Sequence, residues 1–175
     1  MHIAEVVTIA KSLPLLRLNT YKSLILSYSA DYRRIFRKNP FVKHIIIVGA
    51  SNELIAQVPV HLRERVLFYS QAEIDHHQAW PSKAGKLIHE PVYISIDKDV
   101  LRKQDAITDW SNGDMTLMQL QAVLRIIYAH EKVIGIDITG ECSAMLDYFS
   151  ELKDAEINNE ANEELLRMIL EENHP

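Results

Sequence analysis

Cysteine is almost absent from this chain, which has Cys142 alone among its 175 residues. No disulfide can form within the chain, so we expect a reducing compartment and predict a cytoplasmic protein. The sequence also lacks any run of about eighteen apolar residues, the length that a membrane-spanning helix needs. Glu5 and Lys11 interrupt the apolar stretch at the N-terminus, which is not the organisation of a secretory signal. These absences argue against the disulfide-stapled, secreted and membrane-spanning classes.

Glycine, proline and excess positive charge are scarce as well. Five glycines and six prolines are too few for a linker-rich or repetitive architecture. The net charge of -5 argues against general binding to nucleic acid or to a membrane surface. What the chain has instead is 47% hydrophobic residues, enough for a continuous core at this length. We predict a single domain over residues 1–175.

Short, β-branched apolar segments alternate along the chain with longer amphipathic ones. The short segments predict strands at about residues 42–49, 65–70, 92–97 and 132–138. Apolar residues at helical spacing predict helices over about residues 20–38 and 116–130. The second of these helices has Asp114 or Thr116 as its N-cap. The acidic stretch 143–172 predicts two helices with a break near Asn158 and Asn159.

This order of segments predicts an α/β fold with three layers, α/β/α, around a mainly parallel sheet. Sheets of this kind bind ligands outside the carboxyl ends of their strands. Asp97 and Asp99 follow the third predicted strand, and Asp137 and Glu141 lie at the end of the fourth. All four side chains are therefore expected at the functional edge of the sheet.

Asp97 and Asp99 are the most informative pair in the sequence. They end the apolar run PVYISIDKD, residues 91–99, one residue apart. An unpaired carboxylate in a crevice is costly unless a cation or a hydrogen-bond donor neutralises it. Carboxylate oxygens also suit hard divalent cations. The pair predicts a metal site, with the alternative that one aspartate caps the next turn and the other is solvated.

Three motifs together resemble the arginase/agmatinase, or ureohydrolase, superfamily, and in particular its divergent arginase-like branch of uncharacterised and peptide-arginase-like proteins. They are ISIDKD at residues 94–99, WSNGDMT at 110–116 and IGIDITGE at 134–141. The resemblance covers about residues 90–142, mainly the C-terminal half of that fold, with a looser match over 21–49. It implies that Asp97 and Asp99 are ligands of a binuclear manganese centre. It also implies that Glu141, or else Asp137, faces a cationic guanidinium substrate.

The chain departs from the family at a second ligand motif. Arginase-like enzymes take further ligands from an Asp-x-His-x-Asp segment, and no such segment occurs here. His76 and His77, about twenty residues before Asp97, are the nearest candidates for replacement ligands. Adjacent histidines more often lie in a surface loop than bind a metal, and this is the alternative for His76 and His77. The chain is accordingly interpreted as a shortened arginase-like protein.

Three functions follow from these patterns. The first is a Mn²⁺-dependent hydrolase of a C–N bond in a guanidinium- or amide-type substrate, either a small molecule or a peptide. The second is a non-catalytic arginase-like domain that acts as a binding or assembly partner, including as a homo-oligomer. The third is a glycosyltransferase-like domain in which Asp97 and Asp99 hold a metal that bridges nucleotide-sugar phosphates. No glycine-rich phosphate loop supports the third function.

Overall fold

The computed structural model describes residues 21–26, 42–50, 56, 58–75, 91–142 and 148–173. Five strands in these ranges form one sheet with the order β3-β2-β1-β4-β5. The strands are β1 Tyr21–Leu26, β2 Val42–Ala50, β3 Val66–Ser70, β4 Val92–Asp97 and β5 Val133–Thr139. Every pairing is parallel, so all five carboxyl ends meet at one edge of the sheet. The predicted α/β class with a parallel sheet is confirmed.

Three α-helices accompany the strands in the described part of the chain: α1 Gln71–Asp75, α2 Leu117–His130 and α3 Tyr148–Asn173. Thr116 begins α2 with a capping box, because its hydroxyl accepts from the Gln119 amide while the Gln119 side chain accepts from the Thr116 amide. One of the two predicted N-caps is thereby confirmed. None of the helices in these ranges is both long and apolar enough to span a bilayer.

The core lies on both faces of the central strands. Ile46 and Val48 of β2 belong to the cluster that includes α2 and α3, whereas Ile45 and Ile47 alternate to the other face and are equally inaccessible. Strands that bury both faces are typical of parallel sheets covered on two sides. Strand β5 differs, because each of its seven residues is only half-buried. Among the described strands it is an edge strand, paired with β4 alone.

Two secondary-structure predictions are wrong. Residues 21–26, predicted as the start of a helix, form β1, which pairs with β2 on one side and β4 on the other; the rest of that predicted helix lies outside the described residues. The predicted break at Asn158 and Asn159 is absent, since α3 runs through both. Asn158 is buried and its side-chain amide exchanges two hydrogen bonds, of 2.9 and 2.7 Å, with the backbone of Ile107. That distant partner satisfies the asparagine within a helix.

Candidate functional site

Asp97 is the last residue of β4, where an inaccessible apolar strand reaches the carboxyl edge of the sheet. Its Oδ1 accepts the backbone N–H of Asp99 at 3.2 Å. Burial raises the pKa of Asp97 above its ordinary value, and the nearby charge of Asp137 adds to this, although the Asp99 amide and Lys98 oppose it. The ionised carboxylate is therefore poorly solvated, and a bound cation would relieve that cost.

Asp99 lies in a short 3-10 turn, Lys98–Val100, rather than in a continuation of the strand. Asp97 caps this turn, which confirms one half of the alternative that the sequence left open. The other half, a solvated second aspartate, is wrong, because only 2% of Asp99 is exposed. The carbonyl of Asp99 accepts the Gly113 N–H at 2.6 Å. The turn is thus fixed to the loop that leads into α2.

Two glycines with positive φ make room for this turn. Gly140, at φ 87°, follows β5, and a Cβ there would lie 2.6 Å from Asp97 Oδ1 and 2.7 Å from the Lys98 nitrogen. Gly49, at φ 78° in β2, faces Val100, whose Cγ2 would be 2.2 Å from an added Cβ. A third glycine, Gly113, approaches the Val100 carbonyl, which would be 2.5 Å from a Cβ. The segment that bears both aspartates is therefore enclosed by backbone on three sides.

Lys98, between the two aspartates, is wholly inaccessible to solvent. Its ammonium group donates to Glu141 Oε1 and to Asn162 Oδ1, the latter at 3.1 Å. Asn162 Nδ2 in turn donates to the same Glu141 oxygen at 3.1 Å. Partial burial raises the pKa of Glu141, but the bonds from Lys98 and Asn162 together with the Lys98 charge outweigh it and hold that pKa below the ordinary value. Glu141 already has an internal cation, although 58% of its side chain remains exposed.

Asp137 is also engaged, within the sheet itself. Its Oδ2 accepts the Tyr93 hydroxyl at 2.8 Å and its Oδ1 accepts the Ser95 hydroxyl at 2.7 Å. Tyr93 and Ser95 are two residues apart and lie on the same face of β4, and Ser95 is the register partner of Asp137. Asp137 thereby joins an edge strand to its neighbour through two charge-assisted hydrogen bonds.

Of the six predicted site residues, the structure brings Asp97, Asp99 and Glu141 to the carboxyl edge of the sheet, whereas Asp137 lies two residues before the end of β5 and is bonded within the sheet. His76 and His77 lie outside the described residues. Within the part that the structure does describe, no group of three or more histidine, cysteine, aspartate or glutamate side chains could hold a metal ion. Asp97 and Asp99 carry the oxygen donors that hard divalent cations prefer. Their assignment as ligands stays a prediction, as does the assignment of Glu141 and Asp137 to the substrate.

Strand β1 lies directly beside β4, with Leu26 paired to Ile96. In the sequence, β1 is followed by Ser27, Tyr28, Ser29, Ala30 and Asp31, a stretch with one carboxylate and no histidine. These five residues lie outside the described ranges.

Sequence reasoning did not identify the partners of the acidic residues. Lys98 and Asn162 hold Glu141, and Tyr93 and Ser95 hold Asp137. One pattern could have indicated the second pair: two hydroxyl side chains at i and i+2 stand on the same face of an otherwise apolar strand. Asn162 is a single polar residue on a polar helix, and nothing in its surroundings distinguishes it.

The parallel sheet and the helices beside it define an α/β fold of the arginase-like kind. Comparison with solved structures establishes this class. The chain is similar to proclavaminate amidino hydrolase from Streptomyces clavuligerus, with a TM-score of 0.57 and 15% identity over 83% of this chain and 55% of that one. It is similar to arginase from Bacillus subtilis, with a TM-score of 0.54 and 12% identity over 81% and 61% of the two chains.

A third similar structure is an arginase-like protein double mutant from T. brucei, with a TM-score of 0.50 and 19% identity over 82% of this chain and 52% of that one. Among curated proteins, an uncharacterised protein of Thermotoga maritima is 36% identical over 110 residues, which are 62% of this chain and 38% of that protein. No protein-family model matches the sequence. The chain thus spans little more than half the length of the arginase-like structures and less than half of the curated relative.

Proposed function

We propose that this chain is a metal-dependent hydrolase that cleaves a C–N bond in a guanidinium- or amide-type substrate, with Mn²⁺ as the metal. One observation carries the proposal: Asp97, whose pKa is raised by burial, and the inaccessible Asp99 stand at the carboxyl end of the buried β4 in an arginase-like fold. The similarity to an amidino hydrolase and to an arginase supports the choice of substrate class.

In this proposal Asp97 and Asp99 hold the metal, and His76 and His77 are candidates to complete its ligand set. A bound Mn²⁺ supplies Lewis-acid activation of water near neutral pH. The exposed part of the Glu141 carboxylate attracts the cationic end of the substrate, while Lys98 and Asn162 hold that carboxylate in place. Asp137 supports the site from β5 through Tyr93 and Ser95 rather than by contact with the substrate.

The experiment that tests the metal site is elemental analysis of the purified chain followed by Mn²⁺ titration calorimetry. The double variant Asp97→Ala with Asp99→Ala should bind no Mn²⁺. We expect it to keep the fold, because the removal of a poorly solvated carboxylate partly offsets the loss of its hydrogen bond to the Asp99 amide, and circular dichroism checks this. A matched control, Glu160→Ala with Glu163→Ala on α3, removes the same charge from solvent-exposed positions and should bind as the parent does. Tight binding retained by the Asp97/Asp99 variant would contradict the site.

A second titration examines the two histidines separately. If His76 and His77 complete the centre, replacing both with alanine should weaken Mn²⁺ binding at least about tenfold. Unchanged affinity would remove them from the ligand set. For a chain that binds Mn²⁺, release of urea or ammonia from arginine, agmatine and arginine-containing peptides then tests the reaction, with citrulline as the uncharged comparison.

The second candidate function is a non-catalytic arginase-like domain that works as a binding or assembly partner. It is favoured by the small number of metal ligands in the described part of the chain. Exposed Leu166 and Leu170, one turn apart on α3, offer a small apolar contact surface for assembly. Absence of Mn²⁺ binding, together with a dimer or larger species in light scattering, would favour this function over hydrolysis. A monomer that binds Mn²⁺ would favour hydrolysis instead.

A further inference from the structure

Lys98 has an unusual position for a lysine. It lies between the two proposed metal ligands, yet it is wholly inaccessible and points its ammonium group to Glu141 and Asn162. A buried ammonium is costly unless it is paired and hydrogen-bonded. Lys98, Glu141 and Asn162 close a ring of three hydrogen bonds, which we call the Lys98 ring. The ring joins three separate segments: the turn after β4, the loop after β5 and helix α3.

We propose that Lys98 is a positioning residue, which orients Asp97 and Asp99 for a divalent cation by anchoring their turn to Glu141 and to α3. This proposal rests on the proposed function, which supplies the cation. It goes beyond that function because metal affinity would depend on α3, a helix that supplies no proposed ligand. Residues that orient ligands by hydrogen bonds contribute to metal affinity although they do not touch the metal.

The positive charge of Lys98 allows a measurement of Mn²⁺ affinity to test the proposal. A positive group beside two carboxylates repels an incoming cation, so a purely electrostatic role predicts that Lys98→Met strengthens Mn²⁺ binding. A positioning role predicts the opposite, a loss of about 10- to 100-fold, since the turn is no longer held. The two roles therefore change the affinity in opposite directions.

Asn162→Ala gives an independent measure without any change of charge. Asn162 lies on α3 and contacts Lys98 and Glu141, so its effect on Mn²⁺ must pass through the Lys98 ring. We expect a weaker affinity than in the parent, though a smaller loss than for Lys98→Met. Lys98→Arg, which keeps the charge and the donors, should recover part of the loss.

The matched control is Arg125→Met. Arg125 on α2 forms a largely exposed ion pair with Glu172 of α3 at 4.0 Å, so this variant also removes one cation that is paired with α3. It contacts no member of the Lys98 ring and should leave Mn²⁺ affinity unchanged.

Mn²⁺ titration calorimetry on these variants is combined with amide hydrogen exchange of the metal-free chain at Asp99 and Gly113. Both amides bond within or to the turn. Faster exchange at these amides in Lys98→Met and Asn162→Ala, but not in Arg125→Met, would support the positioning role. It would do so even if the chain binds no Mn²⁺, because absence of Mn²⁺ binding would contradict only the proposed function. Unchanged exchange, or stronger Mn²⁺ binding by Lys98→Met, would overturn the positioning role. If Lys98→Met does not fold, Asn162→Ala decides by the same two measurements.

Discussion

The ends of β4 and β5 are neighbours in the sheet and both carry acidic residues, but they use them differently. On β4, Asp97 is an incompletely compensated carboxylate with a raised pKa at the end of a largely buried strand. On β5, a half-buried edge strand, Asp137 accepts two hydroxyl groups, and Glu141 just beyond it is paired with Lys98. The difference separates a carboxylate that burial leaves poorly solvated, Asp97, from two carboxylates that side-chain donors hold in place, Asp137 and Glu141.

The position of an acidic residue at a strand end therefore does not by itself indicate a ligand site. What distinguishes Asp97 from Asp137 and Glu141 is that side-chain donors bond the latter two, whereas Asp97 accepts a backbone amide and keeps a raised pKa. This distinction predicts different responses of the two strand ends to substitution and to pH.

Asp137→Ala should lower the free energy of unfolding by about 2–4 kcal/mol, since two hydrogen bonds to a charged acceptor are lost and the Tyr93 and Ser95 hydroxyls lose their partner. Chemical denaturation measures this change. Asp114→Ala, at an exposed position in the loop before α2, is the control and should change stability by less than about 0.5 kcal/mol. A similarly small effect for Asp137→Ala would mean that β5 does not use its carboxylate as a structural acceptor.

Gly140→Ala should cost about 2 kcal/mol, because φ 87° is unfavourable for alanine and the added Cβ would overlap Asp97 Oδ1 and the Lys98 nitrogen. The measurement is again the free energy of unfolding. In an Asp97→Ala background the same substitution should cost less, since one of its two close contacts has gone. Strict additivity of the two changes would indicate that the backbone conformation alone accounts for the cost.

The pH dependence of stability should differ in sign between the two strand ends. The folded-state pKa of Asp97 is raised, so the metal-free chain should gain stability as pH falls through that raised pKa toward the ordinary value of 3.8. The pKa of Glu141 is lowered, so its contribution is present above its ordinary value of 4.5 and is lost as pH falls through the folded-state pKa.

Unfolding curves between about pH 3 and 7 for Asp97→Asn and Glu141→Gln check these signs. Asp97→Asn keeps an acceptor for the Asp99 amide and should stabilise the metal-free chain at neutral pH. Glu141→Gln should destabilise it there, with the difference shrinking in acid. The same sign for both variants would remove the distinction between the two strand ends.

Much of the fold could be predicted from the sequence because most of its strands are short, continuous and apolar. Four of the described strands and helix α2 with its Thr116 cap lie where the pattern predicts them. Strand β1 was predicted as a helix, because Leu24 and Ile25 in a six-residue segment fit either period. Its pairing with both β2 and β4 decides the conformation, and sequence periodicity contains no information about those partners.

The site was predictable only in part. Asp97 and Asp99 can be found from the sequence because a charged pair ends an apolar strand. The pairing of Glu141 with Lys98 and of Asp137 with Tyr93 could not be predicted from the sequence. These partners are 43 and 44 residues apart in the chain and meet only through the register of β4 and β5. The continuity of α3 at Asn158 depends likewise on the backbone of Ile107, 51 residues away.

The enclosure of the turn by Gly49, Gly113 and Gly140 limits how this chain can diverge. Gly113 and Gly140 face backbone atoms, which no substitution elsewhere can remove, so homologous chains with this turn should keep glycine at both positions. Gly49 faces the side chain of Val100, so its neighbour can shrink. The φ of 78° at Gly49 still disfavours any other residue, so we expect glycine at 49 as well, whatever the size of the residue at 100.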